Sequence, residues 1–468
     1  MSEILVFFTQ TNILEFKLPE LKTLAKLSSV PLTLNENSHD KKNPFLVLDL
    51  QSEDDAKRLM KRTVLMRSMY ELWASAKTHD DLYSQLAKCP HHLKAQYVQR
   101  PDGTFRVKVD AFGKKLQDPD RQDRLDKILG ILPFEGKVKL NNPDQSFHLL
   151  ELYGQAGSKT PDKPLRVYFG RWLMDGQRDQ IRHYHLQKRQ YIGNTSMDSC
   201  LSLLMANQAM VTENALVCDP FVGTGSLLVA AAGCGAYVTG TDIDYNVLHG
   251  KGKSSRYNQI WKGPDENIRS NLRQYGLEHC YLDVMQADFS KCIWREQPLF
   301  DAIITDPPYG IRESTRKIGS DKNNLVNHEH LQNHVPSCTK YGLTDIFRDL
   351  LNFAAKFLKK GGKLVYWLPV YTPEYTVDNI PQHPCLELVA NSEQPLSVHV
   401  SRRLITMRKH LDYEEARESE LQATVSDDHY TESFRYRYFH SAGVPEQKAK
   451  ADARDEQDPL DRERKVQS

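Results

Sequence analysis

The sequence predicts an α+β N-terminal half followed, from about residue 196, by an α/β half built on a parallel sheet. Three observations predict this. The C-terminal strands are nearly unbroken apolar runs: "ALVCDP", "AYVTGTDID", "DVMQADF", "FDAIITDPPY" and "GGKLVYWLP". Strands of that kind are buried on both faces. Helical segments separate them, which is the connection parallel strands require. The N-terminal half instead mixes short strand-like runs with amphipathic helical pieces, and 468 residues exceed what one compact core holds.

Taken in order, residues 1–70 carry the strands "ILVFFT" and "PFLVLDL" and the helical pieces "LPELKTLAKL" and "SEDDAKRLMKRT". A polar loop at 35–43 lies between them. Residues 71–175 repeat the style, with strands at 104–112 and 164–173 and a charged helix at 118–130 that begins on Asp-Pro and ends at Gly130. The run "FEGKVKLNNPDQSFHLLELYG" reads as strand, Asn-Asn-Pro-Asp turn and strand. Residues 176–195 form a basic, polar linker, and 196–410 form the α/β domain. Residues 411–468 are charged and poor in aliphatics, a largely flexible tail with one aromatic stretch at 434–443.

Composition excludes some classes. With 62 Lys+Arg against 61 Asp+Glu, a nucleic-acid partner must be held by a local basic patch, not by the global field. Eight scattered cysteines form no CxxC pair, so no metal site is expected, and their apolar settings suit reduced thiols in a cytoplasmic or nuclear protein. No basic segment precedes the apolar run "ILVFF", so it does not read as a signal peptide. The most membrane-like segment, 215–240, contains Asp219, Pro220 and five glycines, so a buried strand–loop–helix–strand is expected and no membrane partner.

The loop "CDPFVGTGSLL", residues 218–228, follows a strand and opens a helix. Gly223 and Gly225 let its backbone turn tightly and approach a ligand, with Phe221 between strand and turn. A phosphate loop needs Gly-Lys-Ser/Thr where this chain has Gly225-Ser226-Leu227, and a dinucleotide fingerprint needs glycine where Leu228 stands. The loop therefore suits a small ligand without a pyrophosphate. Asp219 offers an acceptor to an ammonium group. Asp242, ending the next strand, is placed for two ribose hydroxyls. Asp288 and Phe289, ending the third, suit an adenine amine and its ring. Ammonium, ribose and adenine together describe S-adenosylmethionine. One glycine turn alone is often only a tight turn, and acids at strand ends are often helix caps. Three acid-ended strands in sequence favour the ligand.

The fourth strand stops on Asp306-Pro307-Pro308-Tyr309. Proline fixes φ and pushes its predecessor out of the helical region, so the Asp306 carboxylate and Pro307 carbonyl are stiffly held acceptors. An exocyclic ring amine needs such a pair, because its lone pair is delocalised. Hydrogen bonds from its two N–H groups favour the pyramidal nitrogen and stabilise its developing charge. Tyr309 suits stacking on the base, and Asp306 suits removal of the proton. Alone, the same four residues make an ordinary proline turn.

These residues resemble a known family. "DPFVGTGSLL", "GTDID", "QADF" and "DPPYGIRE" are similar to class I N-methyltransferases acting on exocyclic amines, and "SMDSCLSLLMANQA" (196–209) resembles their tRNA guanine-N2 branch. "FRVKVDAFGKKL" and "KVKLNNPDQSFHLL" are similar to the ferredoxin-like plus THUMP modules of RNA-modifying enzymes. The resemblance implies an α/β class I (Rossmann-like) methyltransferase domain preceded by α+β ferredoxin-like (1–70) and THUMP (71–175) modules. It also implies guanine N2 at position 10 of tRNA as target, and a small zinc-binding activator subunit covering an apolar surface of the methyltransferase domain.

For tRNA contact, residues 166–189 hold six Arg/Lys against two acids, with Tyr184 near the end of the run and Tyr191 just beyond it. Arg178, Arg182, Lys188 and Arg189 are the expected phosphate contacts. Arg312, just past the hook, is a candidate base or phosphate contact on a polar lid at 312–324. Two other readings stay open. A DNA adenine or cytosine methyltransferase shares the hook, although the N-terminal half speaks against it. A catalytically silent RNA-binding scaffold shares the fold, but has no need of Asp219, Asp242, Asp288 and Asp306 together.

Overall fold

The computed structural model describes residues 2–8, 11–33, 40, 43–154, 161–251, 266–311, 315–319, 337–414 and 422–425. Arg312, most of the expected lid and the aromatic stretch at 434–443 lie outside them. The chain divides into two units, Met1–His183 and Tyr184–Ser468.

In the first unit, seven strands form one sheet: β1 (Ser2–Phe8), β2 (Phe45–Leu50), β3 (Met66–Ala76), β4 (Thr104–Phe112), β5 (Lys137–Val138), β6 (Gln145–Leu152) and β7 (Arg166–Asp175), in the order β2-β1-β3-β7-β6-β4-β5. The boundary expected at 70 falls inside β3. That strand pairs with β1 on one side and β7 on the other, so the two expected modules share a single sheet. The sequence hid β3 because Arg67 and Glu71 interrupt its apolar run. Both are accommodated: Arg67 lies 5.5 Å over the Phe7 ring, and Glu71 accepts from Arg171 at 2.9 Å. One sheet face packs Phe147, Leu149, Val167 and Phe169 against helical residues Leu82, Leu86 and Ile128. Those residues lie in helices His79–Ala87 and Asp118–Ile131. Asp118 and Pro119 do start the second of these.

In the second unit the strands are β8 (Leu216–Asp219), β9 (Tyr237–Asp242), β10 (Tyr281–Gln286), β11 (Phe300–Thr305), β12 (Arg316–Ile318), β13 (Cys338–Lys340), β14 (Leu358–Tyr371), β15 (Leu386–Pro395) and β16 (Val400–Lys409). Its main sheet runs β10-β9-β8-β11-β14-β16-β15, and β12–β13 form a separate ribbon. The first five strands are mutually parallel, and β16 enters antiparallel between β14 and β15. Chain order reverses between β8 and β11, the place where open α/β sheets bind ligands beyond their strands' carboxyl ends. The segment 215–240 is the expected strand–loop–helix–strand, with helix Ser226–Ala232 wholly buried. Among the described residues no helix is long and apolar enough to cross a membrane. Helix Ser199–Gln208 starts on Asp198, whose carboxylate accepts from the amide of Cys200 at 2.8 Å.

The expected linker at 176–195 is not one segment. Arg178–His183 is a short helix of the first unit, whereas Tyr184 onward belongs to the second.

Candidate active site

The glycine loop is laced to the neighbouring strand end. The Val222 amide donates to the Thr241 carbonyl at 2.9 Å, and the Thr241 hydroxyl to the Pro220 carbonyl at 3.0 Å. The Gly223 amide donates to Asp242 Oδ2 at 2.8 Å. Gly223 and Gly225 take φ of +52° and +76°, backbone that favours glycine. A Cβ on Gly225 would press on Ile268 at 2.6 Å, whereas one on Gly223 would enter open space. The loop is thus packed tightly on one side and open on the other. Thr224 is fixed from a third direction, its hydroxyl 2.6 Å from Ser196 Oγ.

Asp219 is 1% exposed. Its Oδ1 accepts from the Phe221 amide at 3.0 Å and from the Thr305 hydroxyl at 2.7 Å. Burial pushes its carboxyl up to about 7, against the pull of the Thr305 and Phe221 donors. Asp242 remains half-exposed, and burial raises it too, while the amides of Asp244 and Gly223 favour its charge. Phe221 and Phe289 pack at 4.6 Å with a 57° tilt.

Asp288 departs from the expectation. It is 4% exposed, and its Oδ2 accepts from the Ile318 amide of β12 at 2.6 Å. Its Oδ1 accepts from the Ser290 amide and hydroxyl at 2.9 and 2.8 Å. The carboxylate therefore fastens the β12–β13 ribbon and its own turn, whereas Phe289 packs between Phe221 and Phe353.

The hook directly follows Thr305, so the bond from Thr305 to Asp219 places Asp306 beside the glycine loop. Pro307 is buried and Asp306 half-buried. Tyr309 donates its hydroxyl to Asp306 Oδ1, so its ring is held at the carboxylate and not turned free for stacking. Asp306 Oδ2 receives Arg402 Nη1 at 3.3 Å. Burial raises the Asp306 carboxyl, while Arg402 and the Tyr309 hydroxyl work against that rise. Each carboxylate oxygen keeps a second lone pair for an incoming N–H. Sequence reasoning missed Arg402, which stands 96 positions from Asp306 in a strand of mixed charge; no local spacing signals it.

The matching families follow the same two units. The family described as "Tmrp11 THUMP N-terminal domain" matches residues 2–178, and "RMKL-like, methyltransferase domain" matches 187–323. The protein named tRNA (guanine(10)-N(2))-methyltransferase TRMT11 of Rattus norvegicus is 52% identical over 432 residues, 91% of this chain and 92% of that one. The Homo sapiens protein of that name is 50% identical over 446 residues, 93% and 95% of the two chains. The Dictyostelium discoideum protein is 33% identical over 440 residues, 89% and 84%. The chain belongs to the TRMT11 family.

In this TRMT11-family chain the expected basic patch breaks up. Arg189 is 2% exposed and donates to Ser226 Oγ at 2.8 Å and to the Tyr184 carbonyl at 3.1 Å. It braces the first residue of the helix behind the glycine loop and is not a phosphate contact. Tyr184 and Tyr191 are buried with it. Arg171 lies in ion pairs with Glu53 and Glu71 and stacks 4.0 Å over Tyr97. The strand is buried on both faces from Val167 to Arg171, so its alternation gave no sign of this. Lys188 and Arg182 are exposed. Arg178 and Arg182 line a cavity of about 640 Å3 in the first unit together with Arg67, where Asp110, Asp175 and Asp179 balance the charge and Arg182 pairs with Asp179 at 3.1 Å.

Proposed function

We propose that this chain transfers a methyl group from S-adenosylmethionine to the exocyclic N2 of guanine 10 in tRNA. The names of its TRMT11 relatives support the reaction and target. The observation that carries the chemistry is the 2.7 Å bond from Thr305 to Asp219, which joins the acceptor hook to the glycine loop. The donor set fits the cofactor: a buried carboxylate for its ammonium, a half-exposed one for its ribose, and paired aromatic rings for adenine. Bound there, S-adenosylmethionine supplies a methyl group made electrophilic by its sulfonium.

Asp306 and the Pro307 carbonyl accept the two N–H bonds of the guanine amine, which turns its lone pair toward the methyl carbon. A nitrogen–carbon bond forms as the carbon–sulfur bond breaks, and the displaced proton passes to Asp306 directly or through one water. Tyr309 leaves Asp306 to lie on the ring face.

The tRNA reading is supported by the names of those relatives and by the THUMP family match over residues 2–178. The edge of the second unit's sheet supports a small activator subunit. Strand β10 lies at that edge and exposes Leu282 and Met285, with Tyr237 exposed on the adjoining strand. An apolar open edge of this kind calls for a cover.

The test is to incubate the full chain, with and without the activator, with unmodified tRNA and methyl-labelled donor, then digest and map the product. N2-methylguanosine at position 10 is expected. A label on adenine N6 or cytosine N4, or no label under either condition, contradicts the proposal.

A further inference from the structure

We infer that Arg402 is a positioning residue for methyl transfer: it fixes the orientation and charge of the Asp306 carboxylate without touching the base. The inference rests on the function proposed above and adds a part that neither the hook nor the glycine loop contains.

Three contacts fix the guanidinium. Its carbon stands 4.0 Å over the ring of Trp367, a residue of β14 with no exposure. Its Nε donates to Gln394 Oε1 of β15 at 2.8 Å. Its Nη1 reaches Asp306 Oδ2 at 3.3 Å. The antiparallel entry of β16 creates this arrangement, because it sets Arg402 opposite Pro369 of β14 and opposite Gln394 of β15. The next residue, Arg403, takes the other face, where it pairs with Glu393 and stacks on Tyr375. Strand parity thus aims one arginine at the hook and the other away from it. A planar, always-charged fork stacked on indole is what arginine offers and lysine does not.

The hook has a matching need. Prolines fix its backbone, but nothing in a proline turn fixes χ1 and χ2 of Asp306. Among the described residues, the groups facing that carboxylate are Tyr309 from its own hook, Arg402 from β16 and, by charge across the crevice, Asp219 from the end of β8. Of these, Tyr309 must depart when a base arrives, and Asp219 repels. Arg402 alone remains to hold the carboxylate in place and ionised while it receives the amine.

The experiment compares wild type, Arg402→Gln, Arg402→Lys and Gln394→Ala, in the preparation in which wild type is active. It reads single-turnover rate against pH, tRNA KM and donor Kd. Without Arg402, Asp306 holds its proton to higher pH, so the acid limb of the Arg402→Gln profile should rise by about one pH unit or more. At neutral pH the rate should fall about tenfold or more and recover toward alkaline pH. KM and donor Kd should stay within about twofold, since no binding contact is lost. Arg402→Lys should keep the limb near its wild-type position at a reduced plateau. If Arg402→Gln does not fold, Gln394→Ala carries the test, with a smaller upward move of the same limb. An unmoved limb in whichever of these variants folds, or a loss confined to KM, overturns the inference. Wild type without any transfer would overturn the proposed function first, so the two failures are distinguishable.

Discussion

Asp219 shows how burial sets the chemistry of one residue. Its carboxyl is pushed up to about 7 by burial, so the folded chain binds a proton there that an unfolded chain releases near the usual carboxylate value. Between those two values the native state holds more protons. This group's contribution to stability therefore falls as pH rises through that window and is constant above it. An ammonium partner reverses the preference and favours the carboxylate. Donor binding should then expel a proton, and affinity should rise several-fold from about pH 6 to about pH 7. Calorimetry in two buffers of different ionisation enthalpy reads the proton directly; binding with no proton release would remove Asp219 from the ammonium site. The acids at strand ends were legible in the sequence because each closes an apolar run. What Asp288 does was not, because its partner amide at Ile318 comes 30 positions later. Arg402 was hidden for the same reason, its partners standing on three other segments.

At the scale of elements, the crevice depends on how closely β9 approaches the glycine loop. Gly240 lies where a Cβ would stand 2.1 Å from the Asp219 carbonyl oxygen and 2.4 Å from Val222 Cγ2. The oxygen belongs to backbone and has little room to shift. Gly240→Ala should therefore cost about 1–3 kcal/mol of stability and weaken donor binding through displacement of the loop. Thermal unfolding and donor calorimetry check both, and unchanged values would mean the loop is not set by this contact. The parallel strands were readable as continuous apolar runs. Strands β15 and β16 were not, since "SRRLITMRK" and "LELVANSEQP" carry charges along their length. Those charges have local uses: Arg408 pairs with Glu387, and Arg403 with Glu393, across the two strands.

At the scale of the whole molecule, charge balance left room for RNA only through local clusters, and the chain divides into two compact units. The linear density of arginine and lysine at 166–189 overstated the patch, because a sequence run ignores which side chains fold inward. Arg171 and Arg189 are structural, whereas Arg178 and Arg182 line a cavity shared with Asp110, Asp175 and Asp179. The boundary at 70 failed for a related reason: a sheet pairs strands across sequence distance, and β3 joins both regions.

The central claim is that the acceptor pair at Asp306-Pro307 drives methylation of a ring amine. The most direct test is the single-turnover rate of Asp306→Ala with unmodified tRNA and saturating donor, alongside donor Kd. A fall of about a hundredfold or more with donor binding within a few-fold of wild type is predicted. Near wild-type transfer by Asp306→Ala would contradict it.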